Sequence, residues 1–560
     1  MEEKIVIKNF RDVPILSISL QSTLWNKTGT WRYLRPYYTS RQAPCSLACP
    51  LGQDIPYYLT AISDGRLNEA WQKMLAANPF PAVCGRVCHH PCEQDCNRKD
   101  YDEPLGIHFL ERFLGDWGIK NGAEAEKLEP KKEKIAVIGA GPAGLSGAYF
   151  LARAGYKVEV FEAMADPGGL LRYGIPEYRL PRKILFQEIK RIEKWGVKIK
   201  TGTKFGTHFG WEDLKSFAAI FLATGAHIDQ KLKIPGRELE GIYTGLEFLK
   251  AVHTQTKPIL GKRVMIIGGG NTAVDSARVA LRLGSKVTLV YRRAKEEMPA
   301  IKDEVEEAIR EGVEFRFQAA PLKIVGQKGK IKAVEFGKTK PGKAPGKGRG
   351  VPEIIKGTNF VMAADSLILA IGERPDLSFL PPELKTRENL IPVDDWGRTN
   401  LPGIFAGGDA ATGAGYVSAA IASGKRAAKA IDRFLKRDSS DLKEIYREKV
   451  TLEKINLDYF PPAPRVKAAL LPIKSRWKSF GEVSKGISEQ KARQEATRCF
   501  SCGECIQCNV CLMVCPDVAI SFVQDKNEYM IDYDHCKGCG ICAIECPRAA
   551  MGLEEEKWNW

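Results

Sequence analysis

From Lys134 to about Arg433 the chain alternates short apolar runs with periodic stretches: IAVIG and KVEVF, later VMIIG and KVTLVY, each pair joined by a helix-length segment. Runs of Ile and Val bounded by glycine predict strands buried on both faces of a parallel sheet, and the periodic segments predict helices covering it. Upstream, GRLNEAWQKMLAAN and EPLGIHFLERFLGDW carry helical periodicity. Downstream, DRFLKRDSSDLKE leads into a connecting stretch with Pro461, Pro462 and Pro464. The expected organisation is a helical unit at 1–130 and a first α/β unit at 131–255 that resumes at 376–435. A second α/β unit is inserted at 256–375, a linker covers 436–490, and a small unit closes the chain at 491–560. The aromatic arm WNKTGTWRYLRPYY has no role legible from its residues.

Cysteine changes this picture most. Of 16 cysteines, six lie between Cys45 and Cys96, ten between Cys499 and Cys546, and none between the two blocks. The first residues, MEEKIVIKNFRDVP, lack the apolar core of a secretory signal, and the longest apolar stretches, such as FAAIFLATGA, are half of the roughly 18–20 residues that cross a bilayer. A cytoplasmic protein without membrane insertion is expected, where clustered thiolates act as metal or iron–sulfur ligands rather than disulfides. Taken alone the net charge of +16 would point to nucleic acid, but bound iron–sulfur cores and a flavin diphosphate would offset about half of it. The one basic run, KPGKAPGKGRG at 340–350, has the composition of a solvated loop, so no nucleic-acid partner is expected.

Two internal repeats carry the candidate chemistry. IAVIGAGPAGLSGAYFLARAGYKVEVFEA recurs 129 residues on as VMIIGGGNTAVDSARVALRLGSKVTLVYRR. In the first copy Gly139, Gly141 and Gly144 follow a strand and open a helix, suiting a tight turn, close approach of a pyrophosphate and helix–strand packing. Its second strand ends at Glu162, 23 residues after Gly139, placed to accept ribose hydroxyl protons. The second copy has Gly268, Gly270, Asn271 and Ala273, and its strand ends at Tyr291 followed by Arg292 and Arg293 instead of an acid. Guanidinium groups pair with a 2′-phosphate that a carboxylate would repel, which favours NADPH over NADH.

With Gly169 in PGGLLRYGIPEYRLP and Asp409 in GIFAGGDAATGAGYVSAAIASGKRAA, the region resembles flavoproteins with two dinucleotide-binding domains. That resemblance implies FAD on the first fold, at Gly139, Gly141, Gly144, Glu162, Gly169 and Asp409. It implies NAD(P)H on the inserted second, at Gly268, Gly270, Asn271, Ala273, Arg292 and Arg293. The absence of cysteine from this region removes the dithiol route that many such flavoproteins use.

The shorter repeat is Cys505-x2-Cys508-x2-Cys511-x3-Cys515-Pro, recurring 31 residues later as Cys536, Cys539, Cys542 and Cys546-Pro. It resembles the bacterial two-cluster ferredoxin run, in which the fourth cysteine crosses to the other cluster. The resemblance implies one centre on Cys505, Cys508, Cys511 and Cys546 and another on Cys536, Cys539, Cys542 and Cys515, with structural zinc as the alternative. Cys499 and Cys502 are surplus to these eight; free thiols and an additional labile site both stay open.

The N-terminal block, with Cys45, Cys49, Cys84, Cys88, Cys92 and Cys96, resembles the cluster-bearing domain of the glutamate synthase small subunit, shared with dihydropyrimidine dehydrogenase and the NADH-dependent ferredoxin:NADP oxidoreductase. Relatives begin with a further CxxC that YYTSRQAPC lacks. The resemblance implies a cluster near the flavin on Cys49, Cys88, Cys92 and the carboxylate of Glu111. A second retains Cys45 and Cys96, with Cys84 a possible substitute, so one or two N-terminal clusters are expected.

The expected fold is therefore multidomain α/β: a helical iron–sulfur domain, two Rossmann-like domains and an α+β ferredoxin-like domain. The expected function is electron transfer between NAD(P)(H) and a redox partner through FAD and 4Fe–4S clusters, with hydride transfer at FAD and no separate catalytic side chain. The partner would be the catalytic subunit of a larger oxidoreductase, such as a 2-oxoacid oxidoreductase, an aldehyde oxidoreductase or a hydrogenase, or else ferredoxin, in a hetero-oligomer. Electron bifurcation, a self-sufficient small-molecule oxidoreductase and a non-catalytic scaffold are the alternatives.

Overall fold

The computed structural model describes residues 26–556 except 30–31, 40, 124–127, 255, 257, 343–349 and 439–446. All of MEEKIVIKNFRDVP, most of the basic run at 340–350 and part of DRFLKRDSSDLKE lie outside the described residues.

Strand β1 (Leu34–Tyr38) precedes six helices: α1 (Pro44–Ala48), α2 (Ile55–Ser63), α3 (Leu67–Leu75), α4 (Pro81–Val87), α5 (Pro91–Gln94) and α6 (Ile107–Asn121). Four of them, α1, α2, α4 and α5, carry proline in the first helical positions, where no backbone N–H is needed.

The first α/β unit follows, with β2 (Lys134–Ile138), α7 (Pro142–Arg153), β3 (Lys157–Phe161), α8 (Arg182–Lys194), β4 (Lys198–Lys200) and β5 (Ala219–Leu222). The second comprises β6 (Ile242–Thr244), β7 (Arg263–Ile267), α9 (Asn271–Arg282), β8 (Lys286–Tyr291), β9 (Glu314–Phe317) and β10 (Ser366–Leu369). Its parallel order is β9-β8-β7-β10-β6. Because β6 pairs within this sheet, the second unit recruits chain from upstream of residue 256. An antiparallel sheet of Ala319–Gln327, Lys330–Lys340, Glu353–Ile354 and Phe360–Ala363 is inserted before β10. The chain then returns through β11 (Ile404–Ala406) and α10 (Val417–Lys436), completing a first sheet of parallel order β11-β5-β2-β3-β4.

Residues 447–490 are not a free linker. Val450, Ile455 and Phe460 bury against Phe500 and Ala549, and the Val483 amide donates to the Tyr178 carbonyl at 3.0 Å. Helix α11 (Glu489–Thr497) then packs on α2 and α6. The final strand β12 (Met551–Glu555) pairs antiparallel with β1, Tyr38 opposite Met551. Residues 34–38 of the aromatic arm thus form a two-stranded sheet with the C-terminal segment. One core runs from Leu59 and Trp71 through Tyr149 and Val137 to Ala492 and Ala496, joining the helical domain, the first nucleotide fold and α11. No helix of the described residues is long and apolar enough to cross a membrane.

Candidate functional site

In the first nucleotide fold, β2 ends at Gly139 with φ +106°, and a side chain there would strike the Ala223 carbonyl. A Cβ added at Gly169 would come within 2.8 Å of the Gly141 Cα, so the two backbone loops meet with no side chain between them. No side chain caps α7, whose first N–H groups are therefore left for an anion. The buried Glu162 carboxylate accepts from Ala140 N at 2.7 Å and Met164 N at 2.8 Å, and burial raises its pKa. Asp409 begins the turn after β11, where burial pushes its carboxyl up to about 6. In the first turn of α7, a Cβ on Gly144 would strike the Gly139 carbonyl. An open cradle with free helical N–H groups and no competing side chain fits a flavin diphosphate.

The second fold repeats the device. Gly268 has φ +151°, a Cβ at Gly270 would meet nothing within 4 Å, and α9 has no side-chain cap. The Asn271 side-chain carbonyl accepts from Ile301 N at 3.0 Å, and Ala273 is fully buried beneath the turn. Arg292 and Arg293 differ: Arg292 is exposed, whereas Arg293 donates to the Gly350 carbonyl at 2.8 Å and pairs with Glu297 at 3.7 Å. Both line a cavity of about 60 Å³ with Gln318, Thr339 and Lys340, a third cation that spacing did not reveal. Thr272 Oγ1 donates to Glu373 at 3.2 Å, and burial raises the Glu373 pKa, with Asp229 and Asp409 adding to the rise. Carboxylates from both folds thus converge between them. A larger cavity of about 690 Å³ beside Trp396 and Arg426 is lined by none of the glycine-loop residues.

In the helical domain Cys49 caps the end of α1, Cys88 that of α4, and Cys92 lies in α5. Glu111, on α6, is only 4% exposed and forms no ion pair among the described residues; it accepts from Gln53 Nε2 at 2.8 Å and Asn78 Nδ2 at 3.0 Å. Burial raises its carboxyl to about 7 and the Cys88 thiol to about 12, and Glu111 is a charged neighbour of Cys49, Cys88 and Cys92 alike. Three buried thiols and one buried carboxyl that feel one another's charge are a donor set that fits an iron–sulfur cluster. From the flavin side, α10 reaches this set: burial lowers Lys425 to about 8, Cys49 is its nearby thiol, and His89 stacks on Tyr416 at 3.7 Å. Gln53, Asn78 and Lys425 carry no spacing signal in the sequence.

Cys45 and Cys96 line a separate cavity together with Cys499 and Cys502. Cys84 does not line it; its sulfur lies 3.8 Å from Asn78 Oδ1, on the Glu111 side.

In the C-terminal domain Cys505, Cys508, Cys511 and Cys546 line one cavity, and Cys515, Cys536, Cys539 and Cys542 line another. Tyr38, brought by β1, lies 3.4 Å from Cys511 Sγ. All 16 cysteines are free thiols, and among the described residues no three His, Cys, Asp or Glu side chains approach closely enough to hold a single metal ion.

Comparison with known proteins covers most of the chain. Residues 133–424 match pyridine nucleotide-disulphide oxidoreductase, 37–123 match dihydropyrimidine dehydrogenase domain II, 4Fe-4S cluster, and 504–550 match the 4Fe-4S dicluster domain. The NADP(+)-dependent formate dehydrogenase subunit beta of Moorella thermoacetica is 38% identical over 84% of this chain and 71% of its own. The NADPH-Fe(3+) oxidoreductase subunit beta of Geobacter sulfurreducens is 36% identical over 82% of this chain and 75% of its own. The glutamate synthase [NADPH] small chain of Escherichia coli (strain K12) is 36% identical over 70% of this chain and 88% of its own.

Proposed function

Because this chain belongs to the pyridine nucleotide-disulphide oxidoreductase family, we propose that it is the pyridine-nucleotide module of a larger oxidoreductase complex, moving electrons between NADPH and a catalytic partner subunit. The family's disulphide chemistry does not come with it, since no cysteine lies between Cys96 and Cys499. Bound FAD would exchange hydride with the nicotinamide and single electrons with iron–sulfur centres, which is chemistry the cofactors own.

The protein's part is positioning. Gly139, Gly141, Gly144 and Gly169 would let the backbone approach the flavin diphosphate, Glu162 holds the loop and would meet the ribose, and Asp409 would supply a further contact to the cofactor. Gly268, Gly270, Asn271 and Ala273 do the same for the second nucleotide, with Arg292, Arg293 and Lys340 around its 2′-phosphate. Cys49, Cys88, Cys92 and Glu111 hold the cluster beside α10, and the two crossed cysteine sets hold the ferredoxin centres.

The observation that carries this reading is α10. It starts just after Asp409 in the flavin fold and presents Lys425 beside Cys49. All three relatives named above are subunits or chains of NADP(H)-linked enzymes by name, which supports a partner subunit here. The test is anaerobic dye reduction by the purified chain: NADPH should drive it without any partner, and NADH much less well. A protein that binds FAD but reduces no dye with either nucleotide would leave only a scaffold.

A further inference from the structure

We propose that Cys45, Cys96, Cys499 and Cys502 together hold one further four-iron cluster, its ligands drawn from both ends of the chain. This rests on the reading of the chain as an iron–sulfur flavoprotein but assigns a site that neither cysteine block could form alone. The four sulfurs line one cavity whose other walls are mostly apolar: Pro44, Pro56, Leu59, Leu105, Ile107 and Phe500. Burial raises the Cys45 thiol well above its ordinary pKa, and the thiols of Cys96, Cys499 and Cys502 beside it add to the rise.

Donors already point at the sulfurs. Ser501 N donates to Cys499 Sγ at 3.3 Å, and Asn97 Nδ2 donates to Cys502 Sγ at 3.4 Å. The backbone N–H groups of Arg98 and Leu105 donate to Cys96. Such N–H···S contacts stabilise the negative charge of a thiolate-ligated cluster and tune its potential. Four free thiols around one mostly apolar cavity supply the donor set of a cubane.

The fold delivers the distant pair by design. Helix α11 docks on α2 and α6, and its last turn is anchored by Arg498, which pairs with Glu495 at 2.6 Å and Asp102 at 3.1 Å. Cys499 and Cys502 follow at once, with the two-residue spacing that recurs in the ferredoxin sets.

The site also lies between the other centres. Cys45 and Cys49 are the two ends of one helical turn, joined by the Cys49 N to Cys45 O hydrogen bond at 3.1 Å. On the other side Arg548 donates to the Phe500 carbonyl at 2.7 Å and lines the cavity of Cys505, Cys508, Cys511 and Cys546. A cluster here connects the flavin-side centre to the ferredoxin domain.

The test uses the full chain purified anaerobically. It should carry about 16 iron atoms rather than about 12, four per centre. A C499S/C502S variant should lose about four of them and one EPR signal while keeping FAD and the remaining signals. A C45S/C96S variant should lose the same signal. Full iron and an unchanged spectrum in C499S/C502S would overturn the site, and leave the flavoprotein reading intact; a chain with no iron at all would overturn both. Should the variants fail to fold, alkylation of the unmodified protein decides. Cys499 and Cys502 should be protected from iodoacetamide in the iron-loaded protein and labelled together with Cys45 and Cys96 once iron is stripped. Labelling in the loaded protein, or protection that outlasts the iron, would overturn the proposal.

Discussion

At the scale of single residues, Glu111 shows how a side chain can be marked for function by its surroundings. With no cationic partner among the described residues, the carboxyl is buried beside thiols and held by two amides, and it must either keep its proton or share its charge with a metal. Glu111→Ala should lose or alter one EPR signal while FAD and both ferredoxin signals persist. It also leaves the Gln53 and Asn78 amides without their acceptor, costing about 1–3 kcal/mol for each. Glu111→Gln keeps an acceptor, so a thermal melt near that of the unmodified protein with the same EPR change would separate ligation from packing. Unchanged iron and spectrum in both variants would make Glu111 only a buried acid. The arginines divide similarly. Arg292 is exposed and uncommitted to any bond described above, so Arg292→Ala should weaken NADPH by about 2 kcal/mol, roughly 30-fold in KM, and leave NADH nearly unchanged. Equal losses for both nucleotides would contradict a phosphate role. The glycine loops and cysteine runs were legible because their chemistry depends on spacing along the chain. Gln53, Asn78 and Lys340 were not, because only tertiary contact brings them to their sites.

Among elements, the junction of α4 and α8 binds the helical domain to the flavin fold. Pro81 opens α4, and the next two N–H groups, of Ala82 and Val83, donate to the Glu188 carboxylate of α8 at 2.9 and 3.1 Å. Glu188→Ala should lower stability by about 1–3 kcal/mol for each orphaned donor, read as a lower melting temperature. Burial raises Glu188 to about 7 from its usual 4.5. The folded state thus holds this proton more tightly, so the contribution is full below pH 4.5 and is lost as pH rises through 7. Glu188→Gln should flatten the dependence of melting temperature on pH between about 5.5 and 8; an unchanged slope would contradict the assignment. The strands and helices of both nucleotide folds followed from their apolar runs. β6 did not, since three half-buried residues carry no periodicity and acquire their identity only by pairing with β10. The proline-bearing stretch after α10 looked like a linker because proline bars helix and sheet. It does not bar packing, and Phe460 and Val466 are buried.

At the scale of the whole molecule, the two cysteine blocks that stand 400 residues apart in sequence are neighbours, joined by the β1–β12 pair, the strap at 447–490 and α11. The stretch YYTSRQAPC lacks the CxxC that the resemblance leads one to expect, and no reading of local spacing could show that Cys499 and Cys502 come to Cys45 from the other terminus. The fold therefore sets the nucleotide clefts, the helical cluster domain and the ferredoxin domain in one continuous order. The most direct measurement of that arrangement is rapid-freeze EPR combined with flavin absorbance after mixing the anaerobic protein with NADPH. Bleaching of the flavin should be followed, within the time of a turnover, by signals from reduced iron–sulfur centres, including the one lost in Glu111→Ala. Flavin that bleaches fully while every cluster stays oxidised would contradict the account.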